Sequence, residues 1–325
     1  MQKKKILFIA PDYFGFNDVI YDAFSSLEGY DTQMILSNGP YKYKNLGERI
    51  HNFFLKNLTD KNLKTINSKL DLIRKISAAG KVDVCIVNRS DMLDISHLKL
   101  INEVSEKTAV IFWDSFAKIT GQKETMPYFD FSFSFDQNDV DQYGLHKISN
   151  FFFVENHETQ NPEYDVFFLG AYDSRFEDLV RVFRYLKTLG LKVGARLYAY
   201  HQKTVPPDLT NEILLTREII PFSKSYIFNV NTKVMLDLAH HHQSGLSFRP
   251  FEAMGLKKKL ITTNANVKNY PFYHPDNIFV IEDTENINLD PGFIATDYTD
   301  IPEEISAEYN SYSWAKKIIT VIENG

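Results

Sequence analysis

The sequence predicts an α/β fold built as two open parallel-sheet domains, and three observations predict it. Short apolar runs alternate with stretches of helical periodicity along most of the chain, the pattern of repeated strand–helix–strand units. The alternation breaks once, at the polar, proline-containing stretch His157-Glu-Thr-Gln-Asn-Pro-Glu163, and then restarts. The length of 325 residues suits two domains at about 100–200 residues each. The expected domains are 1–156 and 157–325.

In the first half, Ile6–Ala10 reads as a buried strand and Pro11–Asn17 as the loop after it. A helix is expected from about Asp18 to Leu27, with Asp18 as its cap. Gly29-Tyr30-Asp31 turns the chain into a second strand at Thr32–Ser37. Residues 42–80 read as helices with Ile50, Phe53, Phe54, Leu58, Leu63 and Ile66 on apolar faces. Strands follow at Val82–Asn88, Thr108–Trp113, Tyr128–Phe135 and Phe151–Val154, with helices at Leu98–Val104 and Asn138–Tyr143.

The second half repeats the alternation. Tyr164–Leu169 reads as a strand, Phe176–Leu189 as a helix and Lys192–Tyr200 as a strand. After the loop Thr204–Asp208, strands are expected at Lys233–Leu238, Leu260–Thr263 and Asn277–Ile281. Pro250–Leu256 reads as a helix, and Ala307–Glu323 as a terminal amphipathic helix.

Composition narrows the function classes. With 44% hydrophobic and 24% charged residues, the chain is an ordinary globular protein. A net charge of −6 gives no electrostatic footprint for nucleic acid. The lone cysteine, Cys85, lies inside an apolar run, so it forms no intrachain disulfide and no multi-cysteine zinc cage. These features lead to the expectation of a reducing, cytoplasmic compartment. The apolar run after Met1-Gln-Lys-Lys-Lys ends at Pro11, too short for a signal peptide. No run reaches the ~18–20 residues of a membrane span. Between Lys56 and Lys81, seven Lys or Arg stand against two Asp. That stretch reads as a solvated helix face, or as a contact with anionic membrane or acceptor.

In open parallel sheets, ligands bind beyond the carboxyl ends of the strands. Asp12 follows the first strand, where a carboxylate can take a proton from an attacking hydroxyl or cap a turn. Asp114 stands in the same place after Thr108–Trp113, beside a Trp able to stack on a sugar. Asp136 repeats the arrangement more weakly. In Leu169-Gly170-Ala-Tyr-Asp-Ser-Arg175, a glycine and a following helix start admit a phosphate, and Arg175 can pair with it.

The richest segment is Asp237-Leu-Ala-His-His-His-Gln-Ser-Gly-Leu-Ser-Phe-Arg-Pro-Phe-Glu-Ala-Met-Gly255. A polar loop holding Gly245 and Ser247 leads to Pro250, which suits the first helical position. Arg249 and the helix start would face an anion. Glu252 can accept from two vicinal ribose hydroxyls, or serve as a first-turn acid. The run His240-His241-His242 offers no helical i, i+4 pair, so no metal is expected.

The segment from Ser244 to Asn264 resembles the donor-site segment of GT-B glycosyltransferases, which in the common retaining families runs Glu-Gly-Phe-Gly-Leu-Thr-Pro-Leu-Glu-Ala-Met. Gly245, Pro250, Glu252, Ala253 and Met254 stand at matching places, and Leu260-Ile-Thr-Thr-Asn264 resembles the closing strand. Two positions depart: Ser244 replaces the first acid, and Lys257 stands where a helix-ending glycine is usual. A broader resemblance covers nearly the whole chain. It rests on Lys4-Lys-Ile-Leu-Phe-Ile-Ala-Pro-Asp-Tyr-Phe-Gly15, Ile111-Phe-Trp-Asp-Ser115, Phe129-Asp-Phe-Ser-Phe-Ser-Phe-Asp136, Phe167-Phe-Leu-Gly170 with Arg175, and Gln243-Ser-Gly-Leu-Ser-Phe-Arg249. These are similar to glycosyltransferase-like bacterial proteins of capsule, O-antigen and lipopolysaccharide-core synthesis.

The resemblance implies two Rossmann-like domains facing a cleft, the terminal helix packing back on the first. It implies a nucleotide-sugar donor held by Gly170, Arg175, Gly245, Ser247, Arg249, Glu252 and Asn264. Asp12 or Asp114 would then act as general base toward a glycan or lipid-linked acceptor. No Asp-x-Asp stands at a strand end, so metal-independent transfer without a cofactor is expected. A non-catalytic nucleotide or sugar binder, and a nucleotide-sugar epimerase, are the alternatives.

Overall fold

The computed structural model describes residues 2–39, 62–155, 162–240 and 245–325. Ile50, Phe53, Phe54, Leu58, His241, His242, Ser244 and most of the expected linker lie outside the described residues. The chain divides into two compact units, one of 1–134, 139–147 and 318–325, the other of 135–138 and 148–317.

The first unit is built on six parallel strands: β1 (Lys4–Ala10), β2 (Tyr30–Leu36), β3 (Val82–Asn88), β4 (Ser105–Phe112), β5 (Phe131–Ser134) and β6 (His146–Lys147). Their order is β2-β1-β3-β4-β5-β6. Ile6–Ala10 and Val84–Val87 are unbroken apolar runs because helices cover both faces of a parallel sheet. The helices are α1 (Phe16–Ser25), α2 (Leu63–Ala79), α3 (Ile95–Val104) and α4 (Gln137–Tyr143). Leu72 and Ile76 of α2 and Leu98 and Ile101 of α3 pack on Leu7, Ile9, Cys85 and Val87. Burial pushes the Cys85 thiol up to about 12, so it behaves as a small apolar side chain.

The second unit repeats the plan with β7 (Tyr164–Ala171), β8 (Val193–Tyr198), β9 (Ile213–Thr216), β10 (Thr232–Asp237), β11 (Lys259–Thr262) and β12 (Ile278–Val280). Their order is β12-β11-β10-β7-β8-β9, again all parallel. Helix α5 (Phe176–Thr188) buries Phe176, Leu179, Val180, Val182, Phe183 and Leu186 on the sheet. The remaining helices are α6 (Tyr226–Val230), α7 (Arg249–Gly255), α8 (Gly292–Ala295) and α9 (Glu303–Ser306), with α10 (Ser311–Asn324) divided between the units after Lys317. No helix among the described residues is long and apolar enough to cross a membrane.

Strand order places the ligand-binding edge of each sheet. In the first, β1 continues to β2 on one side while β3 continues to β4 on the other. The reversal therefore falls between β1 and β3. In the second, β7 leads to β8 and β10 leads to β11 on opposite sides, so the reversal falls between β7 and β10. At such reversals the flanking loops part and leave a crevice beyond the carboxyl ends.

Two edge strands, β6 and β9, fall outside the expected elements, and three expected elements differ. Helix α1 starts at Phe16 with Gly15 at its N-cap, so Asp18 lies within the first turn instead of capping it. The expected strand Tyr128–Phe135 shortens to β5, because the stretch before it winds into a 3₁₀ turn, Lys123–Tyr128, around Pro127. Phe151–Val154 forms one bridge, Phe152 to Asn310, instead of a strand. Its aromatic side chains fill core space: Phe152 packs with Phe251 and Met254.

Candidate functional site

At the reversal of the second sheet two arginines are tied to each other's strands. Arg175, from the loop after β7, donates through Nη1 to the carbonyl of Leu238 just past β10, at 3.0 Å. Arg249, first residue of α7, donates through Nη2 to the carbonyl of Leu169 on β7, at 3.1 Å. The two guanidiniums thus stand on either side of the β7–β10 edge with side chains 17% and 18% exposed.

Each has a carboxylate partner. Asp173 receives Arg175 Nε at 2.9 Å and Nη2 at 2.7 Å, a bidentate pair. Burial raises the Asp173 carboxyl, but the hydrogen bonds and charge of Arg175 and nearby His240 outweigh it and hold it below the usual carboxylate range. Arg249 Nη1 pairs with Glu252 Oε2, and Ser225 Oγ donates to Glu252 Oε1 at 3.2 Å. Glu252 is only 3% exposed, so both oxygens are engaged inside the protein.

A buried carboxylate organises the loop between β10 and α7. Asp237, 3% exposed, accepts from Ser247 Oγ and from Thr262 Oγ1, both at 2.8 Å. Ser247 Oγ in turn accepts the backbone N–H of Arg249 at 3.1 Å, which satisfies a donor at the start of α7. Asn264 Nδ2 donates to the carbonyl of Gly245 at 3.2 Å and its Oδ1 caps the following 3₁₀ turn. Gly245 lies flat against Phe135: a Cβ there would stand 2.3 Å from the ring and 2.8 Å from the Phe135 carbonyl.

Gly170 falls inside β7, where a Cβ would meet the ring of Phe168 at 2.8 Å. Arg175, Gly245, Ser247, Arg249, Glu252 and Asn264 are brought to one sheet edge; Gly170 lies on the strand beneath Arg249's contact. Asp173, Asp237, Thr262 and Ser225 were not singled out from sequence. Their signal was positional for Asp237, the last residue of a strand, and absent for Ser225, which lies 27 residues from Glu252 in the chain.

In the first unit, Asp12 is exposed and its backbone N–H donates to Asn38 Oδ1 at 2.6 Å. Asp114 pairs with Lys118 at 2.6 Å. Trp113 meets Phe16 edge-on at 5.0 Å, and Asn88 Nδ2 donates to Asn17 Oδ1 at 2.7 Å. The Asp12–Asn38 bond ties the end of β1 to that of β2, and the Trp113 and Asn88 contacts tie the start of α1 to the ends of β4 and β3. Asp136, of the second unit, is 2% exposed and accepts the backbone N–H of Asn138 at 3.0 Å, a capping role. Among the described residues, no group of three or more His, Cys, Asp or Glu is arranged to hold a metal ion.

No family model matches the chain, and no curated protein matches it. Solved structures do. A glycosyltransferase from Rickettsia africae ESF-5 is 12% identical, with 100% of this chain and 99% of that one covered, at a TM-score of 0.53. The UDP-GlcNAc 2-epimerase from Methanocaldococcus jannaschii is 12% identical over 99% of this chain and 100% of its own, at 0.51. The DNA modifying enzyme beta-glucosyltransferase is 13% identical over 98% and 99%, also at 0.51. Likeness at this level of identity establishes the fold: two Rossmann-like domains, the GT-B architecture, with a six-stranded parallel sheet in each.

Proposed function

We propose that the chain is a glycosyltransferase that moves a sugar from a nucleotide-diphosphate-sugar donor to a glycan or lipid-linked acceptor in bacterial surface polysaccharide synthesis. The observation that carries this is the pair of arginines, Arg175 and Arg249, tied across the β7–β10 reversal. A diphosphate at that edge meets two guanidiniums held in place by Asp173 and Glu252. Their fixed N–H donors stabilise developing charge without reorganisation. This supports a metal-independent mechanism with no cofactor beyond the nucleotide-sugar.

In this reading the second unit binds the donor. Ser247 and Asp237 hold the loop, Asn264 and Gly245 shape its floor, and Gly170 keeps β7 narrow beneath the guanidinium of Arg249. Glu252 Oε1, buried against the Ser225 hydroxyl, would reach the ribose by giving up that hydroxyl. Its bond from Ser225, at 3.2 Å, is long for an O–H donor and exchangeable for a sugar hydroxyl. The first unit binds the acceptor, with Asp12 or Asp114 as general base. The basic stretch up to Lys81 supports peripheral contact with anionic membrane at the cytoplasmic face. Flotation with anionic against neutral liposomes tests that contact, and equal recovery would count against it.

Structural likeness to the UDP-GlcNAc 2-epimerase favours a second reading, in which the same edge binds a nucleotide-sugar that leaves epimerised. A panel of nucleotide-sugars, assayed with and without glycan acceptors, separates the readings. Transfer that falls about 10²-fold or more in Arg249→Lys supports the proposal. A changed nucleotide-sugar formed without acceptor supports the epimerase. Saturable nucleotide binding without turnover identifies a non-catalytic binder.

A further inference from the structure

The β1–β3 reversal of the first sheet holds a second, differently built edge. Three non-glycine residues among those described have positive φ: Phe14 at 53°, Arg89 at 59° and Lys257 at 51°. Two of them, Phe14 and Arg89, follow the two strands that flank this reversal. Left-handed backbone is unfavourable for a side chain with a Cβ, and such strain concentrates where a loop must present a group to a ligand.

What the β1 loop presents is aromatic. Tyr13 and Phe14 are 53% and 51% exposed, with ring centroids 5.5 Å apart. Gly15 follows at φ 76°, so two successive left-handed residues throw the rings outward before α1 begins. The polar groups around them come from three strand ends: Asp12, Arg89 bound bidentately to Asp91 at 2.9 and 2.8 Å, and Asp114. Arg89 is held charged first by its hydrogen bonds to Asp91, and it also feels Asp114 and Tyr13. At the end of β3 and just after β4, Asn88 Oδ1 and Ser115 Oγ are buried polar atoms without protein partners among the described residues.

We propose that Tyr13 and Phe14 form a stacking platform for a neutral pyranose ring, beside the polar rim made by Asp12, the Arg89–Asp91 pair and the Asp114–Lys118 pair. Aromatic faces match the C–H face of a sugar, and paired carboxylate and guanidinium groups match its hydroxyl rim. Asp12, Asp91 and Asp114 against Arg89 and Lys118 leave the group net negative, which selects a neutral ring over an acidic one. Calling that ring the acceptor rests on the glycosyl-transfer reading; its binding does not.

Saturation-transfer NMR on the full chain tests this. The probes are methyl β-glucopyranoside, methyl β-galactopyranoside, methyl β-N-acetylglucosaminide and methyl β-glucuronide, with UDP calorimetry run in parallel. Wild type is expected to saturate at least one neutral glycoside in preference to the glucuronide. Tyr13→Ala and Phe14→Gly are expected to weaken it roughly five- to tenfold, the worth of an aromatic contact. Phe14→Gly accepts the left-handed backbone, so loss of binding there is not loss of folding. Unchanged binding in both variants, preference for the glucuronide, no binding of any glycoside, or platform-dependent binding of UDP or of a second chain would overturn it. Loss of UDP binding alone, with glycoside binding intact, would instead count against the donor site.

Discussion

Arg249 and Glu252 are an ion pair across one turn of α7, and the acid is the buried member: its side chain is 4% exposed against 18% for the arginine. The geometry makes Glu252 the anchor of the site, since the same carboxylate also takes Ser225 from α6's N-terminal flank. Removing either partner leaves an uncompensated charge at a dry strand end. Glu252→Ala is therefore expected to cost about 3–5 kcal/mol, nearer the lower figure because Arg249 keeps some water. The double variant with Arg249→Met should cost less than the two single changes summed. Urea unfolding measures both. A single-variant change under about 0.5 kcal/mol would show that the pair is not formed in solution.

Asp173 gives the site a pH signature. Its folded-state carboxyl lies below the ordinary value, with Arg175 overcoming the effect of burial. A depressed carboxyl contributes stability that is complete above the unfolded value of about 3.9. That contribution is lost as pH falls through the folded value. Asp173→Asn should therefore be less stable than wild type at neutral pH, and the gap should close below about pH 4. Thermal melts across that range read it directly. A gap that persists or widens as pH falls below about 4 would contradict the Arg175–Asp173 pairing.

Gly245 is fixed by close approach. The Phe135 ring could swing from a new methyl group, but the Phe135 carbonyl, 2.8 Å away, is backbone. Gly245→Ala must displace the loop that carries Ser247 and the Gly245 carbonyl that receives Asn264. The expected cost is about 1–3 kcal/mol, with weakened UDP binding. Calorimetry and denaturant midpoints together check it; a neutral change in both would mean that the loop does not rest on Phe135.

The central strands of both sheets were legible because a parallel strand buried on both faces is a plain apolar run, as in Ile6–Ala10 and Val234–Leu236. The edge strands β6 and β9, short and not buried on both faces, were not. The loops carrying Arg175 and Arg249 followed from where those runs end. The pairings were not legible. Nothing in the spacing announces that Arg175 will reach Leu238, 63 residues away, or Arg249 Leu169, 80 residues away. Those contacts follow from β7 and β10 lying side by side, which depends on strand order, and strand order is settled by long-range packing. Arg89 escaped for a related reason: its chemistry lies in a backbone conformation that arginine does not advertise.

Lys257 ends α7 in a conformation that glycine adopts more readily. The N–H of Lys257 bonds to the carbonyl of Met254 at 3.1 Å, and that of Lys258 to Ala253 at 2.8 Å. This is a Schellman stop with Lys257 at the left-handed position, φ 51°. The helix ends as it would with glycine, so the lysine changes the cost of the turn, not its shape. Left-handed backbone costs a Cβ-bearing residue about 1–2 kcal/mol. Glycine returns about 0.4–1 kcal/mol of that through the entropy of the unfolded chain. The Lys257–Asp300 pair, 2.7 Å and half exposed or more on both sides, adds at most about 1 kcal/mol. Comparing Lys257→Gly with Lys257→Ala cancels the ion pair, because both lose it. The glycine variant should then be the more stable by roughly 0.5–1 kcal/mol in urea, with Lys257→Asn between them. An alanine variant as stable as the glycine one would show that the stop has moved to another residue, and that α7 does not end where Lys257 turns it.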